Sequence, residues 1–129
     1  MVEAELHRWG FNQSQLVTAA VTGAKASEQS YWQSHFENIH WQGNVLTGSL
    51  MLECEFNSVS FENCELGQST VRDCNLKKAS FTQSNCSNSG FVNCQLTGAD
   101  FFGCYLSQTV WQGSTIDYVD FRKARLEMA

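Results

Sequence analysis
Apolar residues recur at every fifth position of this chain without a slip in phase, from Leu6, Phe11, Leu16 and Val21 to Trp111, Ile116, Phe121 and Leu126. That is 25 consecutive positions in a chain that is 43% hydrophobic, and chance alone gives such a run roughly once in a billion trials, so the pattern is a repeat. A period of five fits neither an α-helix (3.6) nor a flat strand (2.0). It requires a chain that bends at regular intervals.

A second inward series lies two residues before each apolar centre. It is built of small residues, among them Cys54, Val59, Cys64, Ser69, Cys74, Ala79, Ser84, Ser89, Cys94, Ala99 and Cys104, with Trp9, Gln29, Ile39 and Asn44 as larger exceptions in the first third. The other phases are mostly polar. Gly23, Gly43, Gly48, Gly98, Gly103 and Gly113 fall two residues after a centre, and glycine recurring in one phase marks a turn with positive φ. Each unit therefore reads small, polar, large, polar, turn. Four such bends close a square, so twenty residues make one coil and coils stack by parallel pairing at about 4.8 Å. No unit buries its own centre; only stacking does that. The predicted architecture is all-β, with about six coils and a column of roughly 29 Å.

Sorting by twenty places Trp41, Phe61, Phe81, Phe101 and Phe121 in one inner stack, an arrangement that favours offset rings. Opposite it run Phe11, Tyr31, Met51, Val71, Phe91 and Trp111. The cysteines also sort into columns: Cys54, Cys74 and Cys94 in one, Cys64 and Cys104 in another with Ser84 between them, and Cys86 among the centres. Stacked neighbours about 4.8 Å apart with parallel Cβ vectors suit a disulfide poorly. There is no CxxC pair, and His7, His35 and His40 fall in outward phases, so a tetrahedral zinc site is not expected. Buried free thiols acting as small apolar side chains are expected, in a reducing compartment.

Units such as Cys94-Gln95-Leu96-Thr97-Gly98, Ala99-Asp100-Phe101-Phe102-Gly103 and Val119-Asp120-Phe121-Arg122-Lys123 resemble the pentapeptide-repeat family, whose loose consensus is A(D/N)LXX. The likeness covers residues 4–126. It implies the family's fold, a right-handed quadrilateral parallel β-helix, and leaves function open.

Composition narrows the picture further. The 129 residues are expected to form one domain, residues 1–129, with no proline and no linker-like segment. No apolar run approaches a membrane span and no signal segment leads the chain, so a soluble cytoplasmic protein without membrane contact is expected. A net charge of −5 disfavours direct nucleic-acid binding. Residues 28–73 hold Glu28, Glu37, Glu53, Glu55, Glu62, Glu65 and Asp73 against Arg72, whereas Arg122, Lys123 and Arg125 crowd the other end. No phosphate loop, metalloprotease motif or nucleophile elbow occurs. Asp100 and Asp120 are expected one coil apart on an outer face, an ordinary surface pair. No catalytic, cofactor-binding or metal-ligating residue is assigned, and no enzyme activity is expected.

The outward phases carry what remains. Trp32, Leu50, Leu52, Val92 and Val110, with Arg72 among them, are expected on one outer wall, and clustered apolar groups on a rigid wall indicate a contact surface. Other outward apolar residues, including Val17, Val45, Phe102, Tyr105 and Tyr118, are scattered. Trp9 is expected to plug the N-terminal coil. Phe121 and Leu126 are expected at an open coil end suited to end-to-end contact, with a second copy or with the rest of a longer chain. The resemblance implies two kinds of function. One is a non-catalytic bacterial interaction scaffold, such as those attached to type VI secretion and exported without a signal peptide. The other is a mimic of duplex DNA that binds gyrase and protects it from quinolones. The modest charge and the absence of the helical C-terminal dimerisation element of such mimics favour the scaffold.

Overall fold
The computed structural model describes residues 11–12, 15–23 and 27–127, and for residues 11–22 it describes the backbone alone. Leu6, His7 and Trp9, with the plug expected of Trp9, lie outside the described residues. Among the described residues nine strands form: β1 (Phe11–Asn12), β2 (Gln15–Thr22), β3 (Ser30–Trp32), β4 (His35–Gln42), β5 (Leu50–Leu52), β6 (Glu55–Asn57), β7 (Ser60–Glu62), β8 (Thr70–Arg72) and β9 (Gly90–Val92). Among the described residues the strand pairs are parallel, and each paired residue meets the one twenty positions on, as in Tyr31↔Met51 and Phe36↔Phe56. The chain is an all-β parallel solenoid with four five-residue sides per turn.

On the first side the strands stack in the order β1-β3-β5-β8-β9. The second and third sides share β2 and β4, which run across a corner and pair onward with β6 and β7. The fourth side is held by isolated parallel bridges, Val45↔Glu65, Glu65↔Asn85, Asn85↔Tyr105 and Tyr105↔Arg125. Named strands thus extend less far than the expected coils, and bridges carry the column on to its last turn.

The expected turn phase is where the backbone bends. Positive φ recurs every five residues, at Gly43 (64°), Gly48 (74°) and Gly98 (74°), and equally at Glu53 (54°), Asp73 (55°), Lys78 (59°) and Asn93 (53°). Glycine is therefore one solution among several. Side chains here project outward, and the stacking of the coils holds a conformation that costs an L-residue about 1–2 kcal/mol.

The centres fill the column as expected. Trp41, Phe61, Phe81, Phe101 and Phe121 stack with centroids 5.9, 5.1, 4.8 and 5.8 Å apart and planes within 16°. Phe91 meets Phe81 and Phe101 edge-on from the opposite side, at 5.9 and 5.7 Å. Leu76, Cys86, Leu96 and Leu106 close the other two sides, fully buried. The larger exceptions Gln29, Ile39 and Asn44 also point inward and are buried.

The small phase does more than leave room. At some corners a tight turn satisfies the small residue's N–H, as where Ala79 donates to the Leu76 carbonyl at 3.0 Å and Ala99 to Leu96 at 2.9 Å. At others a side chain one turn onward takes it. Cys54 N–H donates to Cys74 Sγ at 3.4 Å, Cys64 N–H to Ser84 Oγ at 3.0 Å and Cys94 N–H to Ser114 Oγ at 3.0 Å. Those groups then donate to a carbonyl of the preceding turn, Cys74 to Met51 at 3.4 Å and Ser84 to Phe61 at 2.9 Å. The preference for Ser and Cys in this slot follows, because each bridges two turns. Ser84→Ala leaves a buried N–H without its acceptor and is expected to cost about 1–3 kcal/mol. Ser84→Cys, which restores the bridge as Cys74 makes it, is expected to cost less. Urea unfolding of the two variants checks the order.

All six cysteines are free and buried. Burial pushes the Cys104 thiol up to about 12 and raises Cys64 and Cys86 as well. Cys74 is held up by its contacts with the Cys54 and Cys94 thiols and by burial. The hydrogen bond to Cys74 lowers Cys54 and Cys94, but all six thiols are buried away from reagent, so native protein is expected to react with Ellman's reagent at least tenfold more slowly than urea-unfolded protein, which should release six equivalents. The raised thiols also set a sign. The stability tied to them is complete below the ordinary thiol pKa of about 8.5 and is lost as pH rises toward the folded values.

Candidate docking face
The first side gathers the outward residues that the repeat leaves unspecified. In β3, β5, β8 and β9 the middle residue points in and its two neighbours point out. Parallel register then sets outward residues in two rows along the column. One runs Trp32↔Leu52, Leu52↔Arg72, Arg72↔Val92 and the other Ser30↔Leu50, Leu50↔Thr70, Thr70↔Gly90, Gly90↔Val110. The structure therefore brings the wall residues onto one sheet. Trp32 is 42% exposed, Leu50 37% and Val110 51%, while Leu52 and Val92 are half-buried.

The wall is not continuous. Thr70 and Arg72 form a polar rung between the cluster of Trp32, Leu50 and Leu52 and the pair Val92 and Val110. Arg72 Nε lies 3.7 Å from Asp73 Oδ2, so its charge is turned to the corner. The apolar cluster nearest the N-terminal side is the compact one.

A groove of about 310 Å³ runs along the corner beside this side, lined by Glu53, Glu55, Asp73, Asn75, Asn93 and Gln95 with Cys54 and Cys74 at its base. Glu53 accepts from Gln33 Nε2 at 2.8 Å and Glu55 faces His35 Nδ1 at 3.3 Å. Sequence reasoning grouped these acids in one stretch of chain but missed the groove. The signal was present as two columns at a spacing of twenty, Gln33, Glu53, Asp73, Asn93 and His35, Glu55, Asn75, Gln95. Of the remaining acids, Glu37 lies on the same side as Glu55, 3.7 Å from His35 Nε2; Glu62 faces His40 at 3.6 Å, and Glu65 lines a second groove of about 230 Å³ with Thr47, Gln68 and Asn88. Among the described residues no group of His, Cys, Asp and Glu is arranged to hold a metal ion.

Asp100 and Asp120 pair across one turn, as expected. Each closes a local turn, Asp100 Oδ1 accepting from Phe102 N–H at 2.9 Å and Asp120 Oδ1 from Arg122 N–H at 2.9 Å. The hydrogen bond from the Arg122 guanidinium holds the Asp120 carboxyl below its usual range. These are structural carboxylates. Phe102 lies under Arg122 and Lys123, each 5.7 Å from its ring, and Tyr105 under Arg125 at 5.1 Å, so these outward aromatic residues already carry cationic partners.

At the far end of the described residues, Phe121 is half-buried against the core and Ile116 and Leu126 are 46% and 43% exposed. No described coil stacks on them.

Comparison with known proteins agrees with this architecture. The family model for pentapeptide repeats (8 copies) matches residues 60–94 and 94–128, more than half of the chain. No curated protein is significantly similar. Among solved structures, HetL, a pentapeptide repeat protein involved in heterocyst differentiation regulation from the cyanobacterium Nostoc, aligns over 92% of this chain and 65% of its own length at 11% identity, with a TM-score of 0.50. The chain thus spans just under two thirds of that relative. Rfr23, from the cyanobacterium Cyanothece 51142, aligns over 96% of this chain and 84% of its own at 12% identity and a TM-score of 0.47. Full-length QnrB1, a plasmid-mediated fluoroquinolone resistance protein, aligns over 97% and 92% at 11% identity and a TM-score of 0.32. With the repeat matched in sequence and the solenoid matched in space, the chain belongs to the pentapeptide-repeat family.

Proposed function
We propose that this chain is a non-catalytic protein-interaction module that docks a partner on its first side, as a scaffold in the cytoplasm or as part of a larger secretion-associated assembly of the type VI kind. The observation that carries the reading is the cluster of Trp32, Leu50 and Leu52 on a rigid parallel sheet. Exposed aromatic and aliphatic groups on a preformed surface lose little entropy on binding. The column is filled by stacked side chains, and both grooves are shallow corners lined by polar groups. Self-association through the same wall, or through the end around Phe121 and Leu126, belongs to the same reading.

Trp32→Asp is the test. The side chain is exposed and outside the core, so the fold is expected to survive with a melting temperature within a few degrees of wild type. Capture of partners from host lysate is expected to fall at least tenfold, and a self-associating form to shift to monomer by light scattering. A variant that keeps every partner and its oligomeric state would reject the wall. In a gyrase supercoiling assay, micromolar protein is expected to leave activity unchanged; inhibition would instead support the DNA-mimic reading.

A further inference from the structure
The wall and the acidic groove are adjacent, and together they define a chemistry. Leu52 and Glu53 are consecutive, as are Arg72 and Asp73, so the apolar row and the carboxylate row run side by side along the column. The groove carries three carboxylates, Glu53, Glu55 and Asp73. The nearby basic groups are Arg72, turned to Asp73, the His35 imidazole, which lies between Glu55 and Glu37, and Lys77, whose N–H donates to Asn75 Oδ1 at 3.2 Å. The rows have a pitch of one side chain per coil, about 4.8 Å. An α-helix laid along the column presents one side chain per turn of about 5.4 Å, close enough to stay in step over three rungs. From Trp32 to Val92 the wall spans three such rises, roughly 14 Å, or about ten helical residues.

We infer that the first side and its corner groove bind a basic amphipathic helix, its apolar stripe on Trp32, Leu50 and Leu52 and its Lys or Arg residues along Glu53, Glu55 and Asp73. This rests on the docking face proposed above and adds the class of partner. Charge complementarity selects a basic partner over an acidic one, and the neighbouring apolar cluster selects an amphipathic one over a plain polycation.

The probe is a fluorescein-labelled peptide of about 14 residues with Leu at helical spacing on one face and Lys beside it, titrated at 0.15 M salt by anisotropy. Saturable binding is expected, with a change in tryptophan emission. The triple variant Glu53→Gln, Glu55→Gln, Asp73→Asn is expected to weaken it at least tenfold. A second triple, Glu28→Gln, Glu62→Gln, Glu65→Gln, removes equal charge elsewhere and is expected to change it less than twofold. A peptide with Ser for Leu is expected to lose most of the affinity. Equal loss in the two triples, equal binding by the Ser peptide, or no binding by wild-type protein would each overturn the inference. If the peptide fails while Trp32→Asp still loses its partner, the docking face stands and the basic helix does not. If Trp32→Asp loses nothing, the face itself is wrong.

Discussion

Phe101→Ala is expected to destabilise the protein by about 3–5 kcal/mol, a large share of the roughly 5–15 kcal/mol that holds a domain of this size. Phe101 is fully buried. It stacks on Phe81 at 4.8 Å and 3° and on Phe121 at 5.8 Å, and it receives Phe91 and Trp111 edge-on at 5.7 and 5.4 Å. Its ring is thus shared by two turns above and below and by the opposite side. Neighbouring coils cannot close the gap, because their spacing is set by backbone pairing, so the cavity term adds to the transfer term. Phe121→Ala removes the same ring where it is half-buried at the last described turn and is expected to cost roughly half as much. Thermal unfolding should show a drop of roughly 10 °C or more for Phe101→Ala. Equal losses at the two positions would mean that the stack does not carry the core.

What was legible in the chain, and what was not, follows from how each feature repeats. The inner series repeats at five, so the square solenoid, the aromatic stack and the inward cysteines are legible directly, and the register at twenty places Trp32 beside Leu52. The positive-φ phase was legible only through its glycines. Glu53, Asp73 and Lys78 adopt the same backbone without the residue type that signals it, because stacking imposes the turn. The bridging role of Ser84 and Cys74 was hidden for another reason. Size explained those residues well enough, and hydrogen bonds to the turns before them appear only once the corners are built. The acidic groove was hidden by scale. Along the chain Glu53, Glu55 and Asp73 belong to a diffuse acidic stretch, yet of its other members Glu62 and Glu65 face other sides and Glu37 is taken up by His35. Partner choice is carried by such outward columns, on which the repeat places no constraint.

Deleting Lys78 is expected to do more damage than any single side-chain replacement, although Lys78 is exposed and sits at a turn with φ of 59°. Lys78→Ala should be nearly neutral, since it keeps the residue count and its N–H to the Thr97 carbonyl at 3.0 Å. Deletion removes the corner itself. If the backbone keeps five residues per side, every later residue moves one slot. Phe81, Phe91 and Phe101 then turn outward, and Thr82, Val92 and Phe102 turn in, followed by Asp117 and Arg122. Each displaced Phe or Leu forfeits about 1.5–3 kcal/mol, so three or four exhaust the stability of the domain. If the centres hold their slots instead, one side must span its length with four residues, about 3.3 Å short, which stacking on both sides forbids. Inserting one glycine beside Lys78 shifts the count in the opposite sense, but an extra corner residue bulges outward at modest loop cost. The expected result is therefore asymmetric. Hydrogen exchange should show the insertion variant protected on both sides of the corner. The deletion variant should lose protection from Ala79 onward, and with it most of its cooperative melting, because a stacked coil is stable only through its neighbours. Equal tolerance of the two changes would show that the unbroken phase of five is not what holds the coils together.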